Sequence, residues 1–150
     1  SESFLRQSFA TYGKDSRVQL IPGPAKHFLA QCDLVIAASG TVTLEAALMQ
    51  VPTILVYKVS PLTYALGKIL VKLKYVGLAN LIAGHRVMPE LLQQDADPDG
   101  IARTALSMAD QLGLHVRNLG IVRKKLGLSG ASRRAACIAA GLIRTGFKPD

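Results

Sequence analysis

The sequence has no tryptophan, and its 150 residues include only four tyrosines and four phenylalanines. Eighteen Lys and Arg against ten Asp and Glu give a formal net charge of +8, so anionic partners such as phosphates, nucleic acid or an acidic membrane surface are expected. Sites for single-stranded nucleic acid need aromatic side chains on which bases stack, and Phe147 is the only aromatic residue in the basic C-terminal region. The scarcity of aromatic residues therefore argues against nucleic-acid binding.

Cysteine is also scarce. Cys32 and Cys137 form no CxxC pair and have no histidine at metal-ligand spacing, which indicates a reduced cytosolic protein without a metal site. Asp95, Asp97 and Asp99 alternate before a predicted helix, but the glycine and bidentate glutamate of a calcium loop are missing at the required positions. Helix capping is the better interpretation of these carboxylates.

The sequence has no hydrophobic run of the kind that spans a membrane. Its longest apolar stretch, 61–83, is interrupted by Lys68, Lys72 and Lys74, and a lysine at the centre of a bilayer costs about 2.5 to 3.5 kcal/mol. A basic, apolar helix that also carries Tyr64 could instead lie on an anionic membrane surface. The chain shows no secretory signal and no initiator methionine, and we expect a fragment of a longer protein.

The hydrophobic residues, 49% of the chain, are enough for a sizeable core, and we predict one globular domain. Apolar runs at 33–38 and 53–57 are separated by a helical segment at 41–50. Continuous apolar strands that alternate with helices are typical of a parallel sheet covered on both faces. The fold class is therefore predicted to be α/β and Rossmann-like.

The rest of the chain becomes increasingly helical. Asp97 followed by Pro98 is a helix-start signal. We predict a Rossmann-like domain at 1–112 and a helical tail at 113–150 that packs on this domain or on a partner domain. The other predicted elements are a strand at 17–21, helices at 25–32 and 62–73, an apolar strand or loop at 76–83, a helical turn at 89–94, and helices at 99–112, 115–126 and 131–144.

The most informative segment runs from the end of the first buried strand into the next helix. Gly40 allows close approach of a ligand to the backbone, and the hydroxyls of Ser39 and Thr41 can donate to phosphate oxygens or cap the helix. A helix N-terminus beyond a parallel strand attracts phosphate, and Glu45, one turn further on, can accept hydrogen bonds from a ribose diol. The alternative is a capped helix that binds nothing, with Glu45 offsetting its dipole.

A second group of polar residues follows an apolar run. Around Gly84, the segment 80–93 contains amides, an imidazole, a guanidinium and a carboxylate, and their density suggests a site. The alternative is a solvated loop that leads into a short helix. The residues concerned are Asn80, His85, Arg86, Glu90 and Gln93.

Several short motifs follow one another along the chain. They are Ser-Gly-Thr-Val-Thr-Leu-Glu at 39–45, Val-Pro at 51–52, Tyr-Lys-Val-Ser-Pro-Leu-Thr-Tyr at 57–64, Leu-Val-Lys at 70–72, Asn-Leu at 80–81, Ala-Gly at 83–84 and Pro-Glu-Leu-Leu-Gln at 89–93. Together they resemble, in the same order, the C-terminal half of the lipid-A-disaccharide synthases, which are GT-B glycosyltransferases. The tail, with Leu-Gly at 126–127 and Gly-Ala-Ser at 130–132, is similar to the end of that family.

The resemblance implies a reaction and a set of site residues. The family transfers 2,3-diacylglucosamine from UDP to 2,3-diacylglucosamine 1-phosphate and releases UDP, without a cofactor or a metal. Because both substrates are acylated, the resemblance also implies contact with the cytoplasmic face of the inner membrane. The implied residues are Ser39, Gly40, Thr41, Thr43 and Glu45 for UDP, Asn80, Arg86, Glu90 and Gln93 for the donor side of the cleft, and Tyr64, Lys68, Lys72 and Lys74 for the membrane.

A GT-B enzyme has two Rossmann-like domains, and the resemblance covers only part of the second. The N-terminal acceptor domain and its general base are missing from this sequence, so we expect the isolated chain to be inactive. Two alternatives stay open: a stand-alone nucleotide-sugar-binding subunit of a split transferase, and a membrane-associated interaction module. The oligomeric state also stays open, with a homo-oligomer among the options.

Overall fold

The computed structural model of the chain describes residues 2–12, 17–21, 23–38, 40–60, 64, 74–127 and 130–145. Within these residues the helices are α1 (Glu2–Tyr12), α2 (Lys26–Leu29), α3 (Thr41–Leu48), α4 (Leu78–Ala83), α5 (Pro98–Ala109), α6 (Leu112–Leu126) and α7 (Ala131–Thr145), and a 3-10 helix spans Gln93–Asp95. The strands are β1 (Val35–Ala38), β2 (Thr53–Tyr57) and β3 (Glu90–Leu92).

The three strands form one parallel sheet in the order β1-β2-β3. Ala38 pairs with Val56, and Tyr57 pairs with Leu92, so the strands end close together on one side of the sheet. We call this side the carboxyl edge and define it as the ends of the strands with the residues that follow them. This arrangement confirms the predicted α/β class, and such an edge is where doubly wound sheets bind their ligands.

Small side chains bring α3, α4 and α6 into close contact over the sheet. Ala47 of α3 and Ala79 of α4 are fully buried, and Leu119 and Val122 of α6 pack against the same cluster without exposed surface. Burial of one such Leu or Val contributes about 1.5 to 3 kcal/mol, so α6 belongs to the core that the preceding elements build. The domain boundary predicted at 112 coincides with the start of α6, and as a domain division it stays a prediction.

Helix α7 differs from α6 in its exposure. Every residue from 131 to 142 is exposed, and Ile138 reaches 66%. None of the helices in the described part of the chain is long and apolar enough to cross a membrane.

Helix α5 begins as the sequence predicts, with Asp97 as the N-cap and Pro98 as the first helical residue. The Asp97 carboxylate accepts hydrogen bonds from the N–H groups of Gly100 (2.9 Å) and Asp99 (3.0 Å). The bond from Gly100 stabilises the ionised form most and lowers the pKa of Asp97 below its ordinary value of 3.8. Of the three alternating carboxylates, that of Asp97 therefore caps a helix, as predicted.

Two predicted elements near residue 80 are wrong. Residues 76–83, predicted as an apolar strand or loop, contain helix α4, which ends at Gly84 in the left-handed conformation with φ 78°. Residues 89–94, predicted as a helical turn, contain strand β3, because the N–H of Leu55 donates to the carbonyl of Pro89 and aligns the next residues with β2. Both segments are too short for hydrophobic periodicity to identify them.

Other predictions differ in extent. Residues 17–21, predicted as a strand, are all exposed and pair with no strand of the described sheet. Helix α2 has four residues, where the sequence predicted a helix at 25–32. The helix predicted at 62–73 lies outside the described residues apart from Tyr64. The bounds of β2, the start of α3 and the presence of α5, α6 and α7 are confirmed.

Candidate functional site

The turn between β1 and α3 has a backbone shape that only glycine adopts readily. Gly40 has φ 151° and ψ −169°, a region that is essentially closed to residues with a side chain. A Cβ atom at this position would meet nothing within 4 Å, so the requirement comes from the backbone and not from crowding. The turn is open to solvent at the carboxyl edge, as expected of a place where a ligand approaches the backbone.

The first turn of α3 lacks a side-chain cap from its N-cap residue, which is Gly40. Thr41 is the first helical residue and is exposed. Thr43 is 1% exposed, and its hydroxyl donates to the carbonyl of Gly40 at 2.8 Å, so it fixes the turn from inside. The N–H of Thr43 donates to the same carbonyl at 3.3 Å, and N–H groups of a first helical turn that have no partner within the helix attract anions. Ser39, the remaining residue of the predicted phosphate site, lies outside the described residues.

Glu45 lies one turn into α3 and is half-buried. Within the part of the chain that the structure describes, no hydrogen bond or ion pair engages its carboxylate. Its position after the uncapped turn agrees with the spacing read from the sequence. A carboxylate in such a place can accept hydrogen bonds from a ligand.

Asn80 has all its hydrogen-bonding groups engaged within the chain. It is 1% exposed. Its Oδ1 accepts from the N–H groups of Val87 (2.7 Å) and Met88 (2.9 Å). Its Nδ2 donates to the carbonyl of Met88 (2.9 Å) and to Oε1 of Glu90 (2.7 Å). This amide therefore fixes the loop between α4 and β3, and the structure describes no surface of it toward a cleft.

Glu90, which is half-buried, completes this network. Besides the bond from Asn80, its carboxylate accepts from the N–H of Val76 at 2.9 Å through Oε2 and from the N–H of Gly77 at 2.9 Å through Oε1. A Cβ on Gly77 would stand 2.9 Å from the Leu55 side chain and 3.2 Å from the Glu90 carboxylate, so the approach is tight. Glu90 thereby joins the start of α4 to strand β3.

Gln93 makes two hydrogen bonds to one residue of another segment. Its Oε1 accepts from the N–H of Val59 at 2.8 Å, and its Nε2 donates to the carbonyl of Val59 at 2.9 Å. The side chain is 8% exposed, and its amide pairs with the backbone N–H and carbonyl of Val59 as the backbone of a neighbouring strand would. The second residue after β2 is thus fixed, although Val59 carries no feature in the sequence that would have identified it.

The loop after α4 carries the exposed part of the second cluster. His85 and Arg86 are exposed, and Nδ1 of His85 lies 3.2 Å from the carbonyl of Ala83. Nζ of Lys125 in α6 donates to the same carbonyl at 2.8 Å and so caps the C-terminus of α4. Of the four residues predicted for the donor side of the cleft, Arg86 alone is exposed. Their role at a cleft stays a prediction.

Two of the four residues implied for the membrane lie outside the described part. These two residues are Lys68 and Lys72. Tyr64 is half-buried, and Lys74 is exposed with its Nζ 5.5 Å from the centre of the Tyr75 ring.

A cavity of about 210 Å³ lies away from the Gly40 turn, where β3 leads into α5. Asp95, Asp97 and Arg103 are among the residues that line it. Because the Asp97 carboxylate already caps α5 and a second acid adjoins it, this cavity suits a phosphate less well than the Gly40 turn does.

Comparison with known proteins gives consistent matches. A family model described as lipid-A-disaccharide synthetase matches residues 2–126. The lipid-A-disaccharide synthase of Geobacter sulfurreducens is 45% identical over 115 residues, 75% of this chain and 30% of that protein. The enzyme of Sulfurihydrogenibium is 43% identical over 135 residues, 88% and 35% of the two chains, and that of Nitrosococcus oceani is 41% identical over 139 residues, 89% and 36%. This chain spans about a third of the length of these relatives.

Proposed function

This chain belongs to the lipid-A-disaccharide synthetase family, and on that premise we propose that it is the donor-binding part of a glycosyltransferase of lipid A biosynthesis. The whole enzyme transfers 2,3-diacylglucosamine from UDP to 2,3-diacylglucosamine 1-phosphate, which classifies it as a hexosyltransferase. The acceptor site and its general base belong to the part of the protein that this chain does not include. The isolated chain accordingly binds nucleotide but does not catalyse transfer.

In this proposal the diphosphate of the donor binds at the Gly40 turn, with the hydroxyls of Ser39 and Thr41 beside it. The observation that carries the proposal is the combination of an uncapped helix N-terminus at Gly40 with an unengaged carboxylate at Glu45. The first supplies N–H groups and a positive dipole end for phosphate, and the second supplies acceptors for the ribose diol. Both parts of a nucleoside diphosphate thus find complementary groups at one turn.

The chemical contribution of these residues is stabilisation of the leaving group. As the glycosidic bond to UDP breaks, negative charge grows on the diphosphate oxygens. The N–H dipoles at the start of α3 stabilise this negative charge. They need not rearrange, because the bond from the Thr43 hydroxyl to the Gly40 carbonyl already fixes the turn. Asn80 and Glu90 support the site indirectly in this scheme by holding α4 and β3 together, and the exposed Arg86 is the member of that group able to contact the donor.

The role of Glu45 is tested by replacing it with alanine and measuring UDP affinity by calorimetry. We expect Glu45→Ala to weaken UDP binding about tenfold or more, because a ribose hydroxyl loses a charged acceptor. The same titration with 2′-deoxy-UDP should show little difference between the unchanged chain and the variant. A loss that is specific for the intact diol identifies the carboxylate as its partner.

Asp33→Ala is the matched control, since it removes one exposed carboxylate just before β1, at the opposite edge of the sheet. It should leave the affinity for UDP unchanged. Equal binding of UDP by Glu45→Ala and by the unchanged chain would remove Glu45 from the site.

The enzyme also meets acylated substrates at a membrane, and we propose peripheral contact on the cytoplasmic face of the inner membrane. Tyr64, Lys68, Lys72 and Lys74 combine apolar and basic character in one segment of the sequence. The sequence has no acidic residue between Asp110 and Asp150, so the exposed helix α7 adds to a basic surface. Basic residues near an anionic membrane contribute about 1 kcal/mol each.

Flotation with vesicles of phosphatidylglycerol tests this contact. Replacing Lys68, Lys72 and Lys74 together with glutamate should abolish flotation at low salt, because repulsion replaces attraction. Replacing Lys14, Arg17 and Lys26 with glutamate changes the net charge equally and should leave most of the flotation. Flotation that survives the first set of changes would contradict the proposed membrane segment.

A further inference from the structure

The pairing of Gln93 with Val59 fixes the path of the chain as it leaves β2. Gln93 uses both groups of its amide on the N–H and the carbonyl of a single residue, at 2.8 and 2.9 Å. The last backbone pair between β2 and β3 is Tyr57 with Leu92, and these side-chain bonds continue the contact between the two segments beyond that pair. The segment 58–60 therefore continues along the carboxyl edge in a defined direction.

Gln93 holds an uncommon backbone conformation for this purpose. Its φ is 51°, in the left-handed region that residues with a side chain seldom adopt. Such conformations persist where the surrounding structure determines them, and they cluster at functional sites. Here the left-handed turn follows directly after β3, and the buried side chain reaches Val59 from it. Gln94, the next residue, is exposed.

Lys58 and Gly40 follow neighbouring strands at the same edge of the sheet. Ala38, the last residue of β1, pairs with Val56, so Gly40 and Lys58 each come two residues after this pair. Lys58 is exposed there as the first residue after β2. Across the described part of the chain, no hydrogen bond or ion pair engages its ammonium group. The strand pairing thus places an exposed lysine at the same edge of the sheet as the turn that the proposed function assigns to the diphosphate.

We propose that Lys58 binds the diphosphate of the nucleotide, and that Gln93 is a positioning residue that holds Lys58 at the site through Val59. The inference rests on the proposed function and extends it to two roles that the resemblance does not give. A lysine ammonium binds phosphate oxygens as a compact point charge, and an exposed lysine gains the most from such a contact when its backbone is already fixed.

The test measures UDP and uridine binding by NMR titration of the full chain. Lys58→Gln removes the charge and should weaken UDP binding about tenfold or more, with no change for uridine, which has no phosphate. Gln93→Met keeps the length of the side chain but cannot pair with Val59. It should also weaken UDP binding, by about tenfold, and speed hydrogen exchange of the Val59 amide.

The double variant separates positioning from general stability. If Gln93 acts through Lys58, then Lys58→Gln combined with Gln93→Met should bind UDP no more weakly than Lys58→Gln alone. Lys26→Gln and Gln94→Met are the controls, since they make the same changes at exposed positions, and both should bind UDP normally. All titrations are run well below the midpoint of thermal unfolding, so that loss of fold does not imitate loss of affinity.

Each result has one meaning. Normal UDP binding by Lys58→Gln overturns the inference while the proposed function stands. Additive losses in the double variant overturn the positioning role of Gln93, because the two side chains would then act independently. Absence of UDP binding in the unchanged chain overturns the proposed function, and the inference falls with it.

Discussion

Replacing Asn80 with aspartate is expected to lower the free energy of unfolding by about 3 to 5 kcal/mol. The side chains have the same shape, so the change affects hydrogen bonding and charge alone. The variant loses both N–H donors that now reach the carbonyl of Met88 and the carboxylate of Glu90. In their place a carboxylate oxygen faces two acceptors, one of them charged, in a site with 1% exposure.

The measurement is urea denaturation of the two chains at several pH values. The loss of stability in Asn80→Asp should be largest at neutral pH, where the new carboxylate at the buried position 80 repels that of the half-buried Glu90. It should shrink as the pH falls, because one proton shared between the two acids removes the repulsion and restores a donor. The unchanged chain has no such pair at this position.

Asn118→Asp on α6 is the matched control. Asn118 is half-buried, and no hydrogen bond involves its side chain among the described residues. This change should alter the free energy of unfolding by no more than about 0.5 kcal/mol at any of these pH values. Similar losses in the two variants would mean that the bonds of Asn80 carry little of the stability of the loop.

The sequence correctly predicted those helices and strands that begin at residues with a strong local preference or that consist of a continuous apolar run. Asp97 and Pro98 fix the start of α5, because a carboxylate cap and a proline both favour that position in isolation. Strand β2 is buried from Thr53 to Leu55, and a strand buried in this way consists largely of consecutive apolar residues, so its composition alone was enough to predict it. The spacing from Gly40 to Glu45 likewise predicted where α3 begins and which carboxylate follows the turn.

The elements that the sequence did not predict depend on contacts between segments that are distant in the sequence. Glu90 stands in a strand because β2 offers a partner, and α4 is held in place by the same carboxylate across 13 residues. The bonds of Gln93 to Val59 join residues 34 apart in the sequence. From the sequence, an amide or a carboxylate beside apolar residues looks the same whether it binds a ligand or a backbone group. The resemblance implies that Asn80 and Glu90 line the donor side of the cleft, which stays a prediction, and the structure adds hydrogen bonds of both side chains within the chain.

Replacing Gly40 with alanine is expected to reduce UDP binding by more than tenfold, because the added methyl group changes the backbone of the turn that positions the diphosphate. An alanine cannot hold φ 151° and ψ −169° without a cost of about 1 to 3 kcal/mol. The turn would move toward an ordinary extended conformation instead. That movement shifts the first N–H groups of α3 and breaks the bond from the Thr43 hydroxyl to the Gly40 carbonyl.

Gly113→Ala provides the control, because a Cβ there also meets nothing within 4 Å but the residue lies inside α6. Alanine in a helix is favoured over glycine by about 0.5 to 1 kcal/mol, so this variant should be as stable as the unchanged chain or more so, and should bind UDP normally. The two variants add the same atom to equally open positions and differ in backbone conformation. If Gly40→Ala binds UDP as well as Gly113→Ala does, the diphosphate does not depend on the shape of this turn, and the phosphate site must lie elsewhere on the carboxyl edge.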